Sequence, residues 1–245
     1  MSVSKSMICK GCWQHMHLPT PIRGPFAIPF KMIGIRVSQM NPNLCTMCEK
    51  NFTSVKKKKQ VVIPATILFA DLRGYTNISQ QSESHEILEM LHGFYDECAS
   101  VVWERDGIIN KFIGDALLAI FNFPIMRKDH VRQAVLAGME LQKRCKEKKI
   151  SVTNSLGEET LIGVGVGIHT GETSIGEVGT AYKDFTAIGP VVNLASRMQG
   201  AASIGEVLVT EEVYEQVVDI FPGLETQTFH LKGIGQPVKA YVMPS

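Results

Sequence analysis

Residues 110–121 read NKFIGDALLAIF, and the fold depends on how this stretch divides. An apolar run from 107 to 113 stops at Gly114-Asp115, and a second run occupies 116–122. Two short runs of strand formers joined by Gly-Asp predict a β-hairpin with a tight turn. Upstream, Ile87, Leu88, Leu91, Phe94 and Tyr95 recur at helical spacing within 82–104, and VIPATILFADL, 62–72, reads as a strand. Downstream, 128–148 reads as a second helix and 161–169 as a strand whose alternating glycines imply close backbone approach. The order strand, helix, hairpin, helix, strand predicts an α+β fold, a ferredoxin-like βαββαβ sandwich. A strand at 184–188, a helix at 191–202, a strand at 206–209, a short helix at 211–218 and strands at 226–231 and 238–243 complete the expectation.

The 245 residues are 44% hydrophobic, enough for one large core or a medium domain with a small appendage. A formal net charge of +1 gives no global bias toward nucleic acid or an anionic membrane. The N-terminus, MSVSKSMICKGCWQH, lacks the cationic start and apolar block of a secretory signal, and no stretch reaches the ~18 apolar residues of a membrane span. A cytoplasmic protein is expected.

Residues 1–55, rich in Cys, Pro and Gly without a sustained period, read as a small separate module. Residues 56–61, with the run Lys56 to Lys59, read as a solvated hinge, since a nucleic-acid patch would want interleaved aromatics. Residues 62–245 form the main domain. In the module, CKGC (Cys9, Cys12) and CTMC (Cys45, Cys48) are two Cys-x-x-C knuckles, the usual ligand set of structural zinc. An iron–sulfur or redox-active centre and unligated thiols are the alternatives, and His15 and His17 are candidate replacement ligands. Such a head could carry a small-molecule or redox regulator. Cys98 and Cys145 lie in helical patterns and read as core or surface thiols.

Asp71 ends the first expected strand and Asp115 sits in the hairpin turn. In this strand order the first strand lies beside the hairpin, so the two carboxylates can meet at one sheet edge. Paired carboxylates suit a hard divalent cation such as Mg²⁺, which takes oxygen ligands and keeps waters for a substrate phosphate. Two such ions about 3.5–4 Å apart would stabilise the attacking and leaving oxygens of a phosphoryl displacement. Each aspartate also has a plainer reading, Asp71 as a turn or cap residue and Asp115 as ordinary hairpin chemistry. The backbone amides of Leu72, Arg73 and Gly74 are candidates to cradle a triphosphate.

Four blocks, FADLRGYT (69–76), NKFIGDALLAIF (110–121), GVGIHTGETSIGEVG (165–179) and DFTAIGPVVNLASRMQ (184–199), together resemble the catalytic domain of class III nucleotidyl cyclases, the adenylyl and guanylyl cyclases. The resemblance covers about residues 60 to 243. It implies that Asp71 and Asp115, with the Leu72 carbonyl, hold two Mg²⁺ or Mn²⁺ ions. It also implies that Lys111 donates to adenine N1 and that Thr186 is the second purine-reading residue, threonine being typical of a bacterial adenylyl subclass. Asn193 and Arg197, one helical turn apart, match the pair that orients the ribose and stabilises the transition state, and Lys232 matches a lysine on the terminal phosphates. The resemblance thus implies conversion of ATP to 3′,5′-cyclic AMP and pyrophosphate.

In the family, metal aspartates come from one catalytic domain, and the purine-reading residues, Asn and Arg from its partner. One chain holding both sets implies a head-to-tail homodimer with two equivalent sites. Two alternatives are a guanylyl cyclase and a silent nucleotide-binding or regulatory homologue. A lysine can only donate, so Lys111 opposes the N1–H of guanine, and the intact site opposes silence. Pro190-Val191 departs from the Asp-x-Val that many members carry after the glycine.

Overall fold

The computed structural model describes residues 5–53, 60–148, 151–153, 159–161 and 163–244; the Lys56 to Lys59 run lies outside them. In chain order the described elements are α1 (Lys10–Met16), α2 (Ile28–Met32), α3 (Thr46–Thr53), β1 (Gln60–Arg73), α4 (Tyr75–Gln81), α5 (Ser84–Glu104), β2 (Ile108–Ile113), β3 (Ala116–Phe121), α6 (His130–Glu147), β4 (Ser151–Thr153), β5 (Glu159–Leu161), β6 (Gly163–Val178), β7 (Asp184–Ile188), α7 (Pro190–Ala201), β8 (Val207–Thr210), α8 (Glu211–Tyr214), β9 (Thr226–Phe229) and β10 (Val238–Val242).

The main sheet runs β2-β3-β1-β6-β8-β10-β9, with β7 paired to the outer half of β6. Its first four strands are all antiparallel neighbours, the expected ferredoxin-like arrangement. Six successive residues of β1, Ala65 to Ala70, are buried, because both sheet faces are covered. By the two-residue alternation of a strand, Leu68, Ala70 and Leu72 pack into one cluster and Ala65, Ile67 and Phe69 into another.

The first cluster is closed by α5 and α6. A reciprocal capping box between Glu83 and Glu86 starts α5, and Met90, Phe94, Cys98, Val101 and Val102 form its buried stripe. Cys145 of α6 is buried with them, so both solitary cysteines are core residues; burial pushes Cys98 well above the ordinary thiol range and Cys145 to about 12. Such thiols are inert.

The second face differs from expectation. Residues 5–53 do not stand apart: Cys9, Cys12, Ile22, Leu44, Cys45 and Cys48 share an apolar cluster with Ile67, Leu118 and Ile120 of the sheet. Asn41 Nδ2 donates to the Gly107 carbonyl at 2.7 Å, and the Met40 carbonyl accepts from Ile109 N (3.1 Å) and Trp103 Nε1 (2.7 Å). Lys10 and Arg127 both pair with the buried Asp106, at 2.5 and 3.0 Å. The head therefore supplies a layer of the sandwich. Composition alone could not show this, since its apolar residues follow no period.

Three further differences are local. β6 extends to Val178 rather than ending near 169, because Glu172, Thr173 and Ser174 continue its pairing with β1 while interrupting the apolar pattern. α4 follows β1 directly, after Gly74 at φ 83°, in a Thr-Asn-Ser-Gln segment whose residues favour caps and turns. α8 ends at Tyr214 instead of 218.

The glycines of β6 make the close approach that the sequence implied. A Cβ on Gly167 would lie 2.0 Å from Gln199 N and 2.6 Å from the Ala195 carbonyl, so α7 rests directly on the strand. Gly167→Ala is expected to cost about 3 kcal/mol or more, since backbone cannot yield as a side chain would. Gly200→Ala, with nothing within 4 Å of the new methyl, is expected to stabilise the fold by up to about 1 kcal/mol. Denaturant midpoints of the two variants measure both.

Candidate active site

Asp71 lies opposite Ala116 of β3 and Gly165 of β6, which places it next to the hairpin turn. Gly114, at φ 61°, makes that turn and presents Asp115. Tyr95 of α5 fixes the turn from below: its hydroxyl donates to the Gly114 carbonyl, and its ring stacks on Phe112 with centroids 3.7 Å apart. The Asp71 and Asp115 side chains come within hydrogen-bonding reach of one another. Burial, and then the adjacent Asp71 carboxylate, push Asp115 up to about 6, against a weaker opposing pull from Arg73. Two carboxylates with that much uncompensated negative charge are a donor set suited to a hard divalent cation.

Arg73 behaves differently from the reading that used only its amide. Its guanidinium lies over Gly165, where a Cβ would come within 2.3 Å of Nε. From there it donates to the Gln199 carbonyl on α7 and stands 3.9 Å from Asp71 Oδ2. Gln199 completes the bracket by donating from Nε2 to Asp71 Oδ2 at 3.2 Å. Leu72 N points to the Asp115 carbonyl at 3.4 Å, so of the three amides expected to cradle phosphate, Leu72's is engaged across the hairpin.

A second group of the expected residues gathers between β2 and β7. The β2 register slips between Ile109 and Lys111, leaving Asn110 as the extra residue of a bulge. A bulge re-aims side chains, and here both Asn110 and Lys111 reach β7. Lys111 forms an ion pair with Asp184. Asn110 Nδ2 donates to the Phe185 carbonyl at 2.9 Å, and Thr186 Oγ1 donates to Asn110 Oδ1 at 3.1 Å. Lys111 and Thr186 thus belong to one polar cluster.

Asn193 and Arg197 are exposed, one turn apart on α7, which Pro190 opens at its first turn. Among the described residues neither side chain has a hydrogen bond or ion pair, and the structure does not bring them to Asp71 or Asp115. Lys232 is exposed in the turn between β9 and β10 and likewise forms no ion pair among the described residues. The sequence reading missed Gln199, Asn110 and Asp184. Asp184 could have been found by strand alternation from Thr186; the bulge at Asn110 has no local sequence signal.

In the head, the thiol sulfurs of Cys9, Cys12, Cys45 and Cys48 all lie within 4.8 Å of one another and are buried. Cys9–Cys48, Cys12–Cys45 and Cys12–Cys48 approach to 3.6, 3.5 and 3.3 Å, and backbone N–H groups of Cys12 and Cys45 point at the Cys9 sulfur. Hydrogen bonds from Cys48 and Cys9 hold the Cys45 thiol well below its ordinary range. Four converging sulfurs of this kind can hold a metal ion.

A family model described as the adenylate and guanylate cyclase catalytic domain matches residues 56–244, and the chain belongs to that family. An adenylate cyclase of Anabaena cylindrica is 36% identical over 151 residues, which cover 60% of this chain and 30% of that protein. Guanylate cyclase 32E of Drosophila melanogaster is 28% identical over 173 residues, 69% of this chain and 14% of that one. The chain thus spans less than a third of these relatives. Among solved structures, the adenylyl cyclase CyaB from P. aeruginosa superposes with a TM-score of 0.68 at 27% identity, covering 77% of this chain and 97% of that one. A guanylyl cyclase crystal structure gives 0.68 at 28%, covering 76% and 93%. No helix among the described residues is long and apolar enough to cross a membrane.

The raised Asp115 carboxyl has a measurable consequence. Between its ordinary 3.8 and about 6 the folded state keeps a proton that the unfolded chain releases, so this contribution favours the fold at low pH and is lost as pH rises through 6. A divalent cation relieves the repulsion that remains. The Mn²⁺-induced rise in melting temperature is therefore expected to be larger near pH 8 than near pH 5, and to vanish in Asp115→Asn.

Proposed function

We propose that the chain is an adenylyl cyclase that converts ATP to 3′,5′-cyclic AMP and pyrophosphate in a homodimer with shared sites. One observation carries the reading: the same chain presents the Asp71–Asp115 pair at one place and leaves Asn193 and Arg197 exposed, and without a partner among the described residues, at another, as a site completed by a second copy requires. The ribose 3′-oxygen attacks the α-phosphorus, the bond to the β-phosphate oxygen breaks, pyrophosphate leaves, and the 3′-hydroxyl proton passes to solvent. Asp71 and Asp115, with the Leu72 carbonyl, would hold Mg²⁺ or Mn²⁺, two per site, which when bound lower the pKa of the 3′-hydroxyl and neutralise phosphate charge.

Gln199 and Arg73 hold Asp71 in place for that role. Arg197 of the second copy is aimed where negative charge grows on the α-phosphate, stabilising the transition state more than the ground state. Asn193 orients the ribose, and Lys232 and the amides of Arg73 and Gly74 meet the terminal phosphates. Lys111 donates to adenine N1, with Thr186 beside it, and a site built around these polar groups rejects a base that leaves them unpaired.

The four head cysteines would hold one structural Zn²⁺. A tetrahedral Zn–S bond of about 2.3 Å sets sulfurs roughly 3.8 Å apart, close to the spacings found, whereas disulfides would need about 2.05 Å.

Purified protein given ATP and Mn²⁺ is expected to make cyclic AMP in preference to cyclic GMP from GTP; no cyclic nucleotide at any protein concentration would sink the proposal. Asp71→Ala and Arg197→Ala are each expected to lose at least about 100-fold in activity. Mixed, they should recover up to about a quarter of wild-type activity, because half of randomly formed dimers keep one intact site. Elemental analysis is expected to find one zinc per chain, absent in Cys48→Ser, whose melting temperature should fall by about 5 °C or more; iron with visible absorption, or no metal, would count against zinc.

A further inference from the structure

We infer that Asn110 is a positioning residue for base selection: it accepts the hydrogen bond of the Thr186 hydroxyl, so that Thr186 offers the purine an acceptor and not a donor. The inference rests on the proposed cyclase reading of Lys111 and Thr186 and deepens it by assigning a polarity to the base-reading edge.

The polarity follows from a chain of hydrogen bonds. The Phe185 carbonyl can only accept, so the Asn110 group 2.9 Å away must be its amide nitrogen. That fixes the amide orientation, which is otherwise ambiguous. Asn110 Oδ1 is then the atom facing Thr186 Oγ1 at 3.1 Å, and an amide oxygen only accepts. Thr186 has two protein acceptors for its single proton, Asn110 Oδ1 at 3.1 Å and, at the longer distance of 3.4 Å, the Ala187 carbonyl, and it donates to the nearer. Its remaining capacity is two lone pairs, which suit an N–H donor on the ligand and oppose a carbonyl oxygen.

The neighbouring residue has the opposite polarity. Lys111 is pinned to Asp184, which lies two positions before Thr186 on the same face of β7. An ammonium has three donors and no acceptor, so one bond to Asp184 leaves donors for the base. The edge therefore presents a donor at Lys111 beside an acceptor at Thr186. Adenine offers the complement, with acceptor N1 next to the N6 amine. Guanine, with N1–H next to O6, is mismatched at both positions. The bulge makes this possible: in a regular strand Asn110 and Lys111 would face opposite sides of the sheet.

The experiment is the ratio of kcat/KM for ATP to that for GTP, both measured with the full chain and Mn²⁺; the ratio does not depend on the fraction of enzyme folded. Asn110→Ala leaves the Thr186 hydroxyl only the longer contact to the Ala187 carbonyl, so that it can turn to donate to O6, and is expected to lower the ratio about 10-fold or more. Asn110→Asp keeps an acceptor for Thr186 and should stay within about 3-fold of wild type. In a Thr186→Val background, where there is no hydroxyl to orient, Asn110→Ala should leave the ratio unchanged, which a merely structural role would not predict. Preference for ATP in the wild type with an unchanged ratio in Asn110→Ala overturns this inference alone, as does an undiminished effect in the Thr186→Val background. Wild-type preference for GTP overturns the adenylyl reading and this inference together.

Discussion

A strand buried on both faces needs a layer on each side, and β1 is such a strand. From Ala65 onward its even-numbered residues are covered by α5 and α6, while its odd-numbered residues face α7 at one end and the cysteine-rich head at the other. Asp71 belongs to the odd set, and so looks toward α7, the one element that could bring Gln199 and Arg73's carbonyl acceptor to it. The glycines of β6 permit this arrangement. With side chains at 165 and 167, neither the Arg73 guanidinium nor the α7 backbone could lie where it does.

That arrangement holds a charge imbalance in place. Two carboxylates share a partly buried edge, and a single arginine, itself committed to the Gln199 carbonyl, offsets them only in part. Fold stability and cation affinity are thus opposed in the absence of a ligand: the rigid neighbours that force the carboxylates together are those that make the edge attractive to a divalent cation. A looser hairpin would relieve the repulsion and also lose the preorganised ligand geometry. The Tyr95 anchor on the Gly114 carbonyl prevents that relaxation.

Much of this was legible in the sequence, for reasons that can be stated. The hairpin at Gly114-Asp115, the helical spacing within 82–104 and the glycines of β6 are local patterns, and local patterns fix local structure; which face of that helix is buried was less legible, since of Ile87, Leu88, Leu91, Phe94 and Tyr95 only Phe94 lies in the buried stripe and Leu88 is 53% exposed. The meeting of Asp71 and Asp115 followed from strand order alone. Asn110 was not legible, because a two-residue period places it on the opposite face from Lys111 and only the bulge overrides that count. Gln199 was hidden for a different reason: it sits on the buried side of α7, opposite the exposed Asn193 and Arg197, and nothing in a helix pattern says which carboxylate a buried amide will meet. The docking of the head was illegible because it rests on single contacts far apart in sequence, such as Met40 with Ile109 and Lys10 with Asp106.

Those same contacts decide how the head relates to the site. Lys10 lies inside the first cysteine knuckle and grips Asp106, held at φ 60° immediately before β2; Met40 and Asn41 bond to Ile109 and Gly107 at the strand's first residues. At the hairpin's other end, Gln14 exchanges two hydrogen bonds with the Met126 backbone, at 3.1 and 2.9 Å. The head therefore clasps both feet of the hairpin whose body carries Asn110 and Lys111 and whose tip carries Asp115. Lys10 adjoins Cys9 in the chain and Asp106 is separated from β2 by Gly107 alone, so the cysteine cluster and the strand that carries Asn110 and Lys111 are joined by a short path of contacts.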